Sequence, residues 1–220
     1  MTQKCSDTNF ELGISSIGGV GSSTLLKFIS MFRTTNRNDF HHGTSPYKHS
    51  MRPLPNNKLP ATFKGKYIFV VGNVYDSILS LFADEYMIGS KQPRINHSHL
   101  LNKGLSFDHE ISQDEYFREG IDLYKVEEQL DNWINCKKKF NDIDYDIMIV
   151  KYEEMFHEYN IKKILEFAKI PESEIKRFPK WRPRKNNIKY KPKHKYHDKI
   201  IDMYNSAQSL VDSLDDITII

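Results

Sequence analysis

The sequence predicts one α/β domain spanning residues 1–220, with helices on both faces of a central parallel sheet in three layers. Three observations carry this expectation. Tyr67 to Val71 and Ile147 to Val150 are unbroken apolar β runs, as expected of strands buried on both faces. Stretches of helical character follow them, and strands alternating with helices are the pattern of parallel strands joined by right-handed crossovers. The chain of 220 residues, 39% hydrophobic and 12% aromatic, can bury one sizeable core without disulfide or metal support.

Taken in order, Phe10 to Ile17 is a β-compatible run that leads directly into the glycines of "SIGGVGSSTLL". Leu25, Leu26, Phe28, Ile29 and Phe32 then recur at helical spacing. Arg33 to Leu59 is polar, rich in Pro, Asn and His, and reads as irregular. The strand at Tyr67 precedes a helix from Asp76 onwards, and Ile88 to Ile111 reads as a polar loop. "YKVEEQLDNWINCKKKF" is an amphipathic helix with Leu123, Val126, Leu130, Trp133 and Ile134 on its apolar stripe. The strand at Ile147 leads through "KYEEMF" to the start of a further helix. "NIKKILEFAKI" is helical up to Pro171, and "DKIIDMYNSAQSLVDSL" forms the last amphipathic helix.

A net charge of +3 does not call for nucleic acid as a partner. The basic residues are nevertheless dense between Lys176 and Lys199, which suggests a local anionic ligand or a solvated basic loop. Cys5 and Cys136 form no disulfide framework and have no metal-ligand spacing, as in a reducing compartment. With no signal-like N-terminal run and no apolar stretch of roughly 18 residues, the expectation is a soluble, cytoplasmic protein without a membrane partner. The abundance of Asn, Lys and Ile suggests an AT-rich genome, viral or protist.

The chemistry concentrates in the glycine loop. Gly18, Gly19 and Gly21, with Val20 between them, let bare backbone N–H groups turn towards an anion. The helix that starts near Ser22 adds its unpaired amides and the positive end of its dipole. Ser22, Ser23 and Thr24 add hydroxyl donors. A nucleotide-hydrolysing loop would carry lysine after its last glycine, and here that place is Ser22. The plainer alternative is a glycine-rich turn capped by Ser22.

Together these features resemble the sulfotransferases that use 3′-phosphoadenosine 5′-phosphosulfate. Their first motif is a strand, a loop similar to "PKSGTTW" and a helix. Gly21 to Thr24 match the end of that loop, and Gly19 stands where the family usually has lysine. Their second motif, "RNPxDxxxSxY" after a strand, is matched by Asn73, Asp76, Ser80 and Phe82, with Gly72 in the arginine position. Upstream, Lys48 and His49 in "YKHSMRPLP" match a lysine–histidine pair that many members carry before prolines. Tyr152, Glu153 and Glu154 match the family's "YEDL" after the third strand, and the resemblance covers the chain from about Ile14 to its end.

The resemblance implies a phosphate-loop fold and sulfuryl transfer from this sulfonucleotide donor to a hydroxyl acceptor, a carbohydrate or another small molecule, without a metal. His49 would be the base, since imidazole titrates near neutrality. Lys48 would stabilise charge on the leaving group. Ser80 and Asn73 belong to the 3′-phosphate motif, and Tyr152 would lie near the adenine. Arg182, Arg184 and Lys185 in the late basic segment are candidates to replace the missing arginine, because guanidinium suits phosphate. His41, His42, His97 and His99 also lie in segments read as polar loops. Glu153 and Glu154 read as helix-starting carboxylates, and the Trp133 stripe reads as core. Two rivals stay open. One is a kinase with a degenerate loop, which would prefer ATP with magnesium; the other is a non-catalytic binding protein of the sulfotransferase fold, favoured by glycine at 19 and 72.

Overall fold

A computed structural model describes residues 5–6, 9–36, 48–83, 94–105, 111–181 and 195–220. Its centre is a four-stranded sheet of β1 (Gly13–Ser16), β2 (Lys66–Val71), β3 (Asp146–Lys151) and β4 (Ile217–Ile219), side by side in that order. β1, β2 and β3 are parallel, with Ile14 beside Ile68 and Ile68 beside Met148. β4 runs antiparallel to β3, so the sheet is mixed rather than wholly parallel. The short "ITI" segment carries too few residues to announce a strand by periodicity. Its pairing with β3 decides its structure.

Every residue from Tyr67 to Val71 is fully buried, as the unbroken apolar run requires. Beyond β1, the Asn36 side chain accepts from Ile14 N at 2.7 Å and donates to Ile14 O at 2.9 Å, so an amide satisfies the strand's outer backbone groups.

The helices are α1 (Ser22–Ile29), α2 (Val74–Leu79), α3 (His97–Asn102), α4 (Gln113–Glu119), α5 (Val126–Ile134), α6 (Cys136–Lys139), α7 (Glu158–Phe167) and α8 (His197–Asp212). Three differ from the sequence reading. α3 lies inside the segment expected to be loop, and α4 arises where no helix was expected, capped by the Ser112 side chain on Glu115 N. The predicted long helix around Trp133 is shorter and divides at Asn135 into α5 and α6. Lys125 is left-handed, with φ 49°, and the Asp122 carboxylate accepts from Val126 N, so α5 starts at Val126.

One apolar core joins these elements. Trp133 stacks flat on Phe69, centroids 4.4 Å apart, and touches Tyr67. α8 packs on α2 and α5, and its Gln208 accepts from Val74 N at 2.7 Å, closing the start of α2. The Tyr116 and Tyr204 hydroxyls meet each other and the Asp122 carboxylate, tying α4, the turn before α5 and α8 together. Among the described residues no helix is long and apolar enough to cross a membrane.

Candidate functional site

The parallel strands all end at one edge of the sheet, the edge at which α/β folds bind ligands. β1 delivers Ser16 there, and the chain turns through Gly18, Gly19 and Gly21 into α1. All three have positive φ, and two show most clearly why glycine is needed. Gly19 has φ 62°, and a Cβ on it would fall 2.5 Å from Ser77 O. Gly21 has φ 75°, and a Cβ would fall 2.6 Å from the Tyr152 ring. Gly21 itself is the N-cap of α1, so the alternative of a turn capped by the Ser22 hydroxyl does not hold. Ser22 Oγ instead donates to Ser16 Oγ at 2.8 Å, bracing the base of the loop. Val20 is buried in the core, which leaves it only its backbone for a ligand.

Lys48 and His49 are held against this loop by backbone contacts. Ser16 N and Ser15 Oγ donate to Lys48 O at 2.7 and 2.6 Å. Lys48 Nζ donates to Ser23 Oγ at 2.7 Å, so an ammonium reaches the loop although neither loop motif supplies one. His49 Nδ1 lies 3.1 Å from Ser16 Oγ and 3.2 Å from Ser16 O. A carbonyl can only accept, so the proton sits on Nδ1 and Nε2 is the basic atom. Burial pulls the His49 pKa well below its ordinary value, and Lys48, His99 and Lys103 lower it further against the Ser16 hydrogen bond. His49 is therefore neutral, and able to take a proton, at neutral pH.

α5 fixes the same segment from the other side. Gln129 Nε2 lies within 3.2 Å of the Ser16 and His49 carbonyls and 2.8 Å from Ser50 O, and Trp133 Nε1 donates to Ser50 O at 3.0 Å. The chain thus spends buried donors on positioning Lys48 and His49.

The second motif lies against the loop through α2. Ser77 O and Ser80 Cβ are the atoms that crowd Gly19, so Ser80 is adjacent to the glycine loop, with its hydroxyl on Asp76 O at 3.3 Å. Asn73 caps α2 by accepting from Asp76 N at 2.9 Å. Position 72 faces an acid: a Cβ on Gly72 would lie 3.2 Å from a Glu153 carboxylate oxygen.

Tyr152 continues the β2–β3 ladder through its amide on Val71 O, and its ring edge meets Phe156. It lines a cavity of about 380 Å³ along α1 with Thr24, Phe28, Lys27, Arg177 and Lys180. Arg182, Arg184 and Lys185 lie outside the described residues, as do His41 and His42. Lys27, Arg177 and Lys180 are basic residues of the described chain that stand around Tyr152 instead.

Three residues of this edge were not singled out by the sequence. His99 on α3 holds its ring 4.6 Å from that of His49, tilted by 41°, and burial, then Lys48 and Lys103, pull its pKa down to about 4. Lys103 is buried and donates to Tyr124 O at 2.6 Å; burial lowers its pKa to about 7 against the pull of Asp122 and Glu128. Gln129 is the third. Their common signal was available only with α3 and α5 placed: His99 lies on α3, and Lys103 follows in the turn that closes that helix. Among the described residues no group of three or more His, Cys, Asp or Glu is arranged to hold a metal ion. Comparison with known proteins finds no family model, no curated protein and no solved structure that matches the chain.

Proposed function

We propose that the protein is a sulfotransferase, moving a sulfuryl group from 3′-phosphoadenosine 5′-phosphosulfate to a hydroxyl of a carbohydrate or another small acceptor. One observation carries the reading. A lysine–histidine pair far from the glycine loop in sequence meets it in space, Lys48 on Ser23 and His49 on Ser16. Such a loop, its helix N-terminus and one ammonium suit a phosphosulfate, and neutral His49 suits an acceptor hydroxyl.

In this mechanism the loop amides of residues 18–21 and the Ser23 and Thr24 hydroxyls bind the donor's 5′ end, while Ser22 stays on Ser16 and braces the loop. Tyr152 and the cavity along α1 take the adenosine, with Lys27, Arg177 and Lys180 supplying positive charge for the 3′-phosphate. His49 Nε2 accepts the acceptor's proton as the new oxygen–sulfur bond forms. The sulfur–oxygen bond to the donor phosphate breaks on the opposite side, and Lys48 balances charge on the departing phosphate. The products are the sulfate ester and adenosine 3′,5′-bisphosphate, with the proton on His49.

Calorimetry with adenosine 3′,5′-bisphosphate tests the reading. Saturable binding is expected, and no heat at millimolar ligand would overturn it. His49→Ala should abolish transfer and leave bisphosphate affinity within about threefold. Tighter binding of ATP with magnesium than of the bisphosphate would assign the loop to a kinase. The Glu153 carboxylate beside Gly72 favours a second reading, a non-catalytic binding protein of the same fold, because it repels a phosphate there. That reading predicts bisphosphate binding without turnover.

A further inference from the structure

The two ends of the glycine loop face different surroundings. Gly21 lies against the Tyr152 ring, beside the cavity along α1, whereas Gly18 lies against Leu81 and His99 Nδ1. On the Gly18 side are buried basic groups with unmet hydrogen-bonding capacity among the described residues. His99 Nδ1 is buried without a partner. Lys103 is 5% exposed, and one of its three ammonium donors is used, on Tyr124 O. The acids that act on Lys103 do so only through space: Asp122 is engaged by Tyr116, Tyr204 and Val126 N, and Glu128 by Lys125. A buried ammonium with idle donors, within electrostatic reach of an unpartnered imidazole, is costly unless an anion completes it.

Displacement in line at sulfur brings the acceptor in from the side opposite the leaving nucleotide. With the nucleotide at the Tyr152 end, the acceptor enters at the His99 end. We propose that His99 and Lys103 form the acceptor side of this site, and that the acceptor is a hydroxyl compound carrying a carboxylate or phosphate close to its reacting hydroxyl. This rests on the donor reading above. The anion receives the idle donors of Lys103 and His99 and keeps the Lys103 amine protonated. Without it, burial drives that proton off near pH 7, among neighbours Lys48, His49 and His99 on one side and Asp122 and Glu128 on the other.

The test uses D-glucuronate and its near-isosteric amide D-glucuronamide, with D-glucose 6-phosphate and D-glucose as a second pair. Each is titrated by ligand-observed NMR onto the full chain saturated with adenosine 3′,5′-bisphosphate. At pH 6.5 at least one charged probe should bind about tenfold more tightly than its neutral partner, the worth of one charge-assisted hydrogen bond. Which pair shows the difference separates carboxylate from phosphate. Lys103→Met should bring that ratio to about one with bisphosphate affinity unchanged. Parity of both pairs on the native chain overturns the proposal alone, as does a ratio that survives in Lys103→Met. Should that variant not bind bisphosphate, the ratio on the native chain decides. Failure of the native chain to bind bisphosphate overturns the donor reading and this proposal with it.

Discussion

A lysine introduced at position 19 would not repair the loop. The Gly19 backbone is left-handed, and any Cβ there meets Ser77 O at 2.5 Å, a backbone atom that cannot yield without moving α2. Gly19→Lys should cost about 2–4 kcal/mol and weaken bisphosphate binding instead of strengthening it. Thermal unfolding and calorimetry check this, and a gain in affinity would show that the loop accepts its lysine in place. The ammonium that reaches the loop is that of Lys48, which arrives on another segment and ends on Ser23. That replacement was only half legible. The pair Lys48–His49 was legible only through its likeness to a family motif, and nothing in the sequence tells that Ser15 and Ser16 would grip the Lys48 carbonyl.

The elements show where a sequence speaks and where it is silent. β2 and β3 are written in unbroken apolar runs, and α1, α7 and α8 in helical spacing, so tertiary contacts only confirm what local pattern requires. α3 and β4 are too short for a period to register, and they form because neighbours complete their hydrogen bonds. His99 was hidden with α3, and Lys103 with the turn that follows it. α5 is a further case: its stripe marked Trp133 as core, yet its polar Gln129 is fully buried and fastens three carbonyls of the site. Gln129→Leu keeps the packing volume and strands those carbonyls. It should lower stability by about 1–3 kcal/mol and reduce turnover more than bisphosphate affinity. Denaturant unfolding with single-turnover kinetics would measure both; an unchanged rate would show that α5 supports only the core.

For the whole molecule, the buried bases set the dependence of stability on pH. His49 and His99 have folded pKa values below their unfolded 6.5, so the unfolded chain binds protons first as pH falls, and stability drops between about 6.5 and 4. Lys103 titrates near 7 when folded and near 10.5 when unfolded. Its burial therefore opposes folding in full below 7, and the penalty is relieved as pH rises through that window. Burial raises the phenols of Tyr67, Tyr116, Tyr124, Tyr145 and Tyr204, which reverses the trend above about 10, where unfolded tyrosines ionise. Stability should peak between about pH 8 and 10, and Lys103→Met should flatten the climb from 7 to 10. Urea midpoints across this range check it; a maximum near pH 6 would mean that Lys103 and the two histidines are solvated. The clasp of Tyr116 and Tyr204 on Asp122 has an optical consequence as well. Ionised phenol absorbs where neutral phenol does not, and burial raises the pKa of these two hydroxyls well above the ordinary value while the clasp between α4 and α8 is closed. Among the chain's twelve tyrosines these two form a built-in probe, whose share of the phenolate signal, delayed by burial, accompanies the parting of α8 from α4.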